Sequence, residues 1–152
     1  MKLRIATACQ RPVKIWSKHA MGTTTVESPK VDDAFMERFF AAWKNKDVEA
    51  ILSMVTDDVE LESQFGPKTC GKLFVGKAGV REAALRLFAA YPGAKSSDRT
   101  YIVMGDHGFT EITYHYVDGE GKPVSTRLCD LFTFRDGKVS SKRAYGKRFV
   151  AD

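Results

Sequence analysis

The sequence predicts an α+β fold, a curved antiparallel sheet wrapped around three N-terminal helices (an α+β cone). Three observations carry that prediction. Apolar residues recur at helical spacing in three segments before residue 92. After residue 98 the chain alternates polar and apolar side chains through four long runs. Helices bunched early and strands bunched late favour segregated layers over alternating βαβ units.

The first helix follows Asp32. Phe35, Phe39, Ala42 and Trp43 fall at i, i+4, i+7 and i+8, one face of a helix, with Asp32 or Asp33 available as cap. Asp47 can start a second, short helix whose stripe is Val48, Ile51, Leu52 and Val55, ended by Asp57-Asp58. "VELESQF" then alternates Val59, Leu61, Ser63 and Phe65 against Glu60, Glu62 and Gln64, a half-exposed strand. "GPKTCG" is rich in turn formers. A third helix runs from Gly76 to Tyr91, with Val80, Ala84, Leu87, Phe88 and Tyr91 on one face, and "YPG" stops it.

The rest reads as a meander. "RTYIVMG", the turn "DHG" and "FTEITYHYV" are followed by the loop "DGEGKP", then by "VSTRLCDLFTFR" and "KVSSKRAYGKRFV". Asp136-Gly137 between the last two is a strong hairpin signal. A sheet bent over helices forms a cone whose mouth suits a small molecule.

Composition narrows the function classes. A hydrophobic fraction of 43% and a charged fraction of 28% are ordinary for a globular domain. No apolar run is long enough to span a bilayer. The net charge of +5 sits in residues 1–30, where six Lys/Arg face one acid, Glu27; the remaining residues hold 18 basic and 18 acidic side chains. The body therefore lacks the basic stripe of a nucleic-acid binder, and residues 1–30 read as a loosely attached basic leader ahead of one domain, 31–152. Met21 is a natural alternative start. The leader's longest apolar stretch, "IATAC", is too short for a secretory signal, and its basic, acid-poor composition weakly suggests organelle targeting. Three scattered cysteines, Cys9, Cys70 and Cys129, argue against a disulfide framework and favour the cytoplasm. The histidines have no metal-ligand spacing, so neither metal nor cofactor is expected.

"FMERFFAAWKNKDVEAILSMVTDDVELES", "GKAGVREAALRLFAAYP" and "CDLFTFRDGKVSSKRAY" together resemble the SnoaL-like branch of the nuclear transport factor 2-like superfamily, over roughly residues 32–148. The resemblance implies the cone fold more firmly than any activity. The superfamily includes polyketide cyclases, ketosteroid isomerase, limonene epoxide hydrolase, scytalone dehydratase and members that only bind or dimerise.

Asp130 is the first candidate. It stands in an apolar run, and burying an ionised carboxylate costs several kcal/mol unless something compensates. Thr126, Leu128, Asp130, Phe132 and Phe134 share one face of the strand. If that face meets the helices, the Asp130 pKa should rise, giving a base suited to taking a proton beside a carbonyl. The resemblance implies the same role, since SnoaL-like cyclases keep an acid/base aspartate in this hairpin motif. The alternative is an ion pair with an Arg or His of a neighbouring strand that fixes register.

His115 is the second candidate, as a donor to substrate or a partner of Asp130, with Glu111 on its face as an orienting group or a plain surface charge. His107 reads as a solvated turn residue. The expected pocket lining is aromatic, drawn from Phe35, Phe39, Trp43, Phe65, Phe88, Tyr101, Tyr114, Tyr116, Phe132 and Phe134, with Phe39, Trp43, Phe65, Phe88, Tyr101 and Phe132 as substrate contacts. "KRAYGKR" reads as a solvated edge strand. Ketosteroid isomerase fits poorly, because the first helix offers Phe39, Phe40 and Trp43 but no tyrosine, and Ser63 stands where that family keeps an aspartate. Limonene epoxide hydrolase fits poorly too. Arg127 and Asp130 fall on opposite faces, and Ala144 stands near its last aspartate.

The function expected is cofactor-independent proton transfer (isomerisation, cyclisation or dehydration) on a small hydrophobic carbonyl compound. The alternative is a non-catalytic ligand-binding or dimerisation module. The partners expected are that small molecule and a second copy in a homodimer formed through the sheet, with neither nucleic acid nor membrane.

Overall fold

A computed structural model describes residues 30–149 of the chain. The expected leader, apart from Lys30, and the alternative start at Met21 lie outside the described residues. The elements are α1 (Asp33–Lys44), α2 (Val48–Ser53), β1 (Val55–Glu62), β2 (Leu73–Val75), α3 (Gly76–Ala90), β3 (Lys95–Met104), β4 (His107–Val117), β5 (Pro123–Arg135) and β6 (Lys138–Phe149).

Local chemistry sets the helix starts. Asp32 caps α1, its carboxylate accepting from the Phe35 N–H at 2.7 Å. Asp47 does the same for α2 through the Ala50 N–H at 2.9 Å. Each satisfies an amide that would otherwise lack a partner in the first turn.

The boundary between α2 and β1 differs from expectation. Val55 and Val59, 2% and 1% exposed, both lie on β1. Asp57 and Asp58 do not end a helix. They are consecutive exposed strand residues at an irregularity in the β1–β6 register. Lys77 holds Asp57 at 2.8 Å, and Arg135 holds Asp58. The strand then ends at Glu62, short of Phe65, and a three-residue β2 forms between the expected turn and α3, where the sequence predicts no element.

One six-stranded sheet runs in the order β2-β1-β6-β5-β4-β3. The predicted α+β cone holds, and within it one pair, β1 with β6, is parallel while the others are antiparallel. This arrangement corrects the expectation for "KRAYGKR". β6 lies between β1 and β5, and Lys142 and Arg143 pair with Leu61 and Glu62 of β1, so the stretch begins inside the sheet; from Ala144 onward only β5 borders it. The β5–β6 turn follows its Asp-Gly signal, with positive φ at both Asp136 (53°) and Gly137 (69°), as a type I′ hairpin requires.

The inner face of the sheet packs on the helices. Phe35, Met36 and Phe39 of α1 join Ile51 and Leu52 of α2, Val80 of α3, and Phe132, Phe134 and Val139 of the sheet in one core. Phe39 meets Phe132 edge-on at 6.0 Å, and Phe35 meets Phe134 at 6.4 Å. Gly108 makes room for that packing, since a Cβ there would come within 2.8 Å of the Phe134 ring.

Candidate functional site

Asp130 points inward, as its sequence face predicts. Burial alternates along β5 with Val124, Thr126, Asp130, Phe132 and Phe134 buried. Its backbone partners are Thr110 on β4 and Ala144 on β6. Because β6 is interior as far as Arg143, the next inward residue on that strand is Lys142, the backbone partner of Phe132. Its ammonium nitrogen stands 2.8 Å from Asp130 Oδ1, with the two side chains 17% and 12% exposed. The contact is an ion pair by distance, but Oδ1 has no hydrogen bond of good directional geometry. Lys142 answers the cost of placing a carboxylate in an apolar strand. Sequence reasoning missed it by reading its strand as a solvated edge.

Tyr114, expected from the sequence only as one of the aromatics of the pocket lining, is the other polar group on this face. It lies on the inward face of β4, in step with Thr110 and Ile112, and its pKa is pushed up to about 12. Burial is the main cause, the negative charge of Asp130 adds to it, and Arg99 opposes it. The signal was present in the sequence: even positions 108–116 alternate with the polar Glu111, Thr113 and His115.

Two further polar atoms line the same interior. Thr110 is 1% exposed and its hydroxyl has no hydrogen-bond partner. Trp43 Nε1 is buried and also lacks one. At the rim, Arg99 stacks over Phe40 at 4.4 Å and pairs with Glu37 at 2.9 Å.

His115 is not part of this cluster. The register that sets Thr110 opposite Asp130 sends odd-numbered residues of β4 to the other face of the sheet. There His115 is exposed and bonded to Ser97 Oγ and Ser125 Oγ, each at 2.9 Å. Glu111 pairs with Arg127 at 2.6 Å rather than orienting the histidine. His107 is exposed at the start of β4 with Asp106 at 2.7 Å from its ring, as a turn residue would be.

The six expected aromatic contacts divide. Phe39 and Phe132, each 2% exposed, are embedded in the core. Trp43 and Phe88 pack edge-on at 5.9 Å, half-buried above that core, and Tyr101 leans on Phe40 at 5.5 Å. Phe65 stands apart, 58% exposed in the loop after β1. A hollow of about 590 Å³ opens between residues 62–64, the 69–71 loop and residues 143–146. Ala144 at its wall is the backbone partner of Asp130, so the hollow begins one strand from the carboxylate. Its lining includes none of the expected aromatics.

Among the described residues, no group of three or more His, Cys, Asp or Glu side chains could hold a metal ion. No helix there is long and apolar enough to cross a membrane.

Comparison with known proteins supplies the family. The SnoaL-like domain profile matches residues 36–142. No curated protein matches the chain. Among solved structures it is similar to TerC co-crystallised with polyporic acid, with a TM-score of 0.64 and 23% identity over 75% of this chain and 89% of that one. A protein of ketosteroid isomerase-like fold from Catenulispora acidiphila, in complex with trimethylamine, aligns with a TM-score of 0.64 and 16% identity, covering 76% of this chain and 86% of that one. A protein assigned as a SnoaL-like polyketide cyclase from Jannaschia sp. CCS1 aligns with a TM-score of 0.64 and 18% identity, covering 75% of this chain and 83% of that one. At these identities the likeness shows the fold alone.

Proposed function

The chain belongs to the SnoaL-like family, and on that premise we propose that it binds a small hydrophobic carbonyl compound inside the cone and moves a proton on it through Asp130. Isomerisation, cyclisation and dehydration all need such a step, and none of them needs a cofactor.

One observation carries the reading: an inward carboxylate, 12% exposed, set among Phe132, Thr110 and Tyr114 with a cation on one side only. Lys142 faces Oδ1. Oδ1 is itself buried, so the side chain's remaining exposure lies elsewhere on it, which leaves Oδ2 to meet a ligand. A purely structural pair would spend both oxygens on the protein. His115, on the far face, takes no part.

A crystal structure grown with a flat apolar ketone tests the proposal. Density inside the cone within hydrogen-bond reach of Asp130 supports it. A ligand seated only on the outer face, or none at all, counts against it.

A second reading, dimerisation through the sheet, has its own support. Ile102 (54% exposed), Met104 (67%), Leu131 (41%) and Tyr145 (54%) all lie on the outer face of neighbouring strands. With Val117 (61%), exposed on the same face, such apolar side chains suit a second copy related by a twofold axis. Sedimentation of Leu131→Glu distinguishes the two cases: a dimer should fall to monomer, and an unchanged species would remove this reading.

A further inference from the structure

We infer that Tyr114 is the hydrogen-bond donor that holds the carbonyl oxygen of the ligand, while Asp130 faces the adjacent carbon. This rests on the proposed site and adds a second working residue to it.

The argument begins with placement. Thr110, Ile112 and Tyr114 follow one another on the inward face of β4, and Asp130 is the backbone partner of Thr110. The Tyr114 phenol lies within electrostatic range of both Asp130 and Arg99. Its hydroxyl makes no hydrogen bond with any described residue, whereas Tyr116, next inward on the same strand, is bonded to Thr126 Oγ1 at 3.1 Å. A half-buried phenol on the inward face with no acceptor among the described residues is free to donate to a ligand. The high pKa keeps the proton in place across the physiological range. A carboxylate that acts as the base accepts a proton and does not also donate to the ligand's oxygen, so a separate donor is needed. The unspent hydroxyl of Thr110, directly beside Asp130, shows that this patch of the sheet is not saturated by protein contacts.

The step balances without a co-reactant. The Asp130 carboxylate takes a proton from the carbon next to the carbonyl, and the C–H electron pair becomes a C=C bond. The carbonyl π pair moves onto oxygen, where the Tyr114 O–H donates to the enolate. When the pair moves back, Asp130 returns the proton to the same carbon or to a conjugated one.

Two probes of nearly one shape test the assignment: 2-acetylnaphthalene, which carries the acceptor, and 2-ethylnaphthalene, which does not. Titrating the full chain with each, the wild type should prefer the ketone about tenfold, the worth of one well-made hydrogen bond. Tyr114→Phe should bring the ratio to about one while leaving the ethyl compound's affinity unchanged; Thr110→Val should keep most of it. Equal binding by the wild type overturns the inference and leaves the apolar site standing. A preference that survives in Tyr114→Phe overturns the assignment to Tyr114. Failure of both probes to bind removes the site and the inference together. Should Tyr114→Phe not fold, the infrared carbonyl stretch of the ketone bound to wild type decides: a shift below its value in alkane is expected, and no shift overturns the proposal.

Discussion

Lys142 and Asp130 meet across the β5–β6 ladder with 2.8 Å between Nζ and Oδ1, and each is the other's sole ion-pair partner among the described residues. With side chains 17% and 12% exposed, solvent screens the pair weakly. Removing one member strands the other charge, so Asp130→Leu or Lys142→Met alone should cost about 3 kcal/mol. The double variant Asp130→Leu/Lys142→Met should lie within about 1 kcal/mol of wild type. Urea unfolding curves of the four proteins check this. Additive costs would show that the pair is not coupled.

Alkaline stability should depend on Tyr114. Its folded pKa of about 12 lies above the value of about 10 for an exposed tyrosine. A raised folded pKa means that stability is fully present below pH 10 and is lost as pH climbs towards 12, because only the unfolded chain gains by ionising there. The loss should reach about 3 kcal/mol. Absorbance at the tyrosinate band should show a phenol titrating near pH 12, distinct from Tyr101, whose pKa burial also raises, and Tyr114→Phe should abolish that step and its share of the slope.

Gly108→Ala should destabilise although the change is one methyl. The new Cβ would meet the buried Phe134 ring at 2.8 Å, and the ring has no room to retreat from Phe35 and Phe132. A loss of about 1–3 kcal/mol is expected from such overpacking. Thermal melting of Gly108→Ala beside the open-surface control Gly93→Ala separates the clash from the general effect of losing a glycine.

Asp32→Ala should lower stability by about 1 kcal/mol by removing the acceptor for the Phe35 amide, and Asp32→Asn should restore most of it. Helix content measured through the melt should start to fall earlier in the alanine variant alone.

Much of the fold was legible because its signals are local. The spacing of Phe35, Phe39 and Ala42, the caps Asp32 and Asp47, and the Asp136-Gly137 turn each specify structure within a few residues. The parallel pairing of β1 with β6 has no local signature, since it joins residues about 80 positions apart. Missing it turned the interior part of β6 into an edge, and Lys142 into a solvated lysine.

The site was legible to the same degree. Alternation on β5 placed Asp130 inward because Phe132 and Phe134 share its face. On β4, alternation shows which residues travel together but not which set faces the helices, and a single step of register exchanges the sets. His115 was chosen for its chemistry and lies outside, while Tyr114, its neighbour, carries the inward position. Phe65 was assigned to a strand that ends three residues earlier, which leaves its ring at the surface.

Proton transfer by Asp130 is tested most directly by hydrogen–deuterium exchange at the carbon beside the carbonyl of flat apolar ketones in heavy water. The rate is followed by NMR for wild type, Asp130→Asn and the charge-free Asp130→Asn/Lys142→Met, with circular dichroism confirming that each is folded. Wild type should accelerate exchange, and both folded variants should lose about a hundredfold or more of that acceleration. Exchange that persists undiminished without the carboxylate would contradict the account.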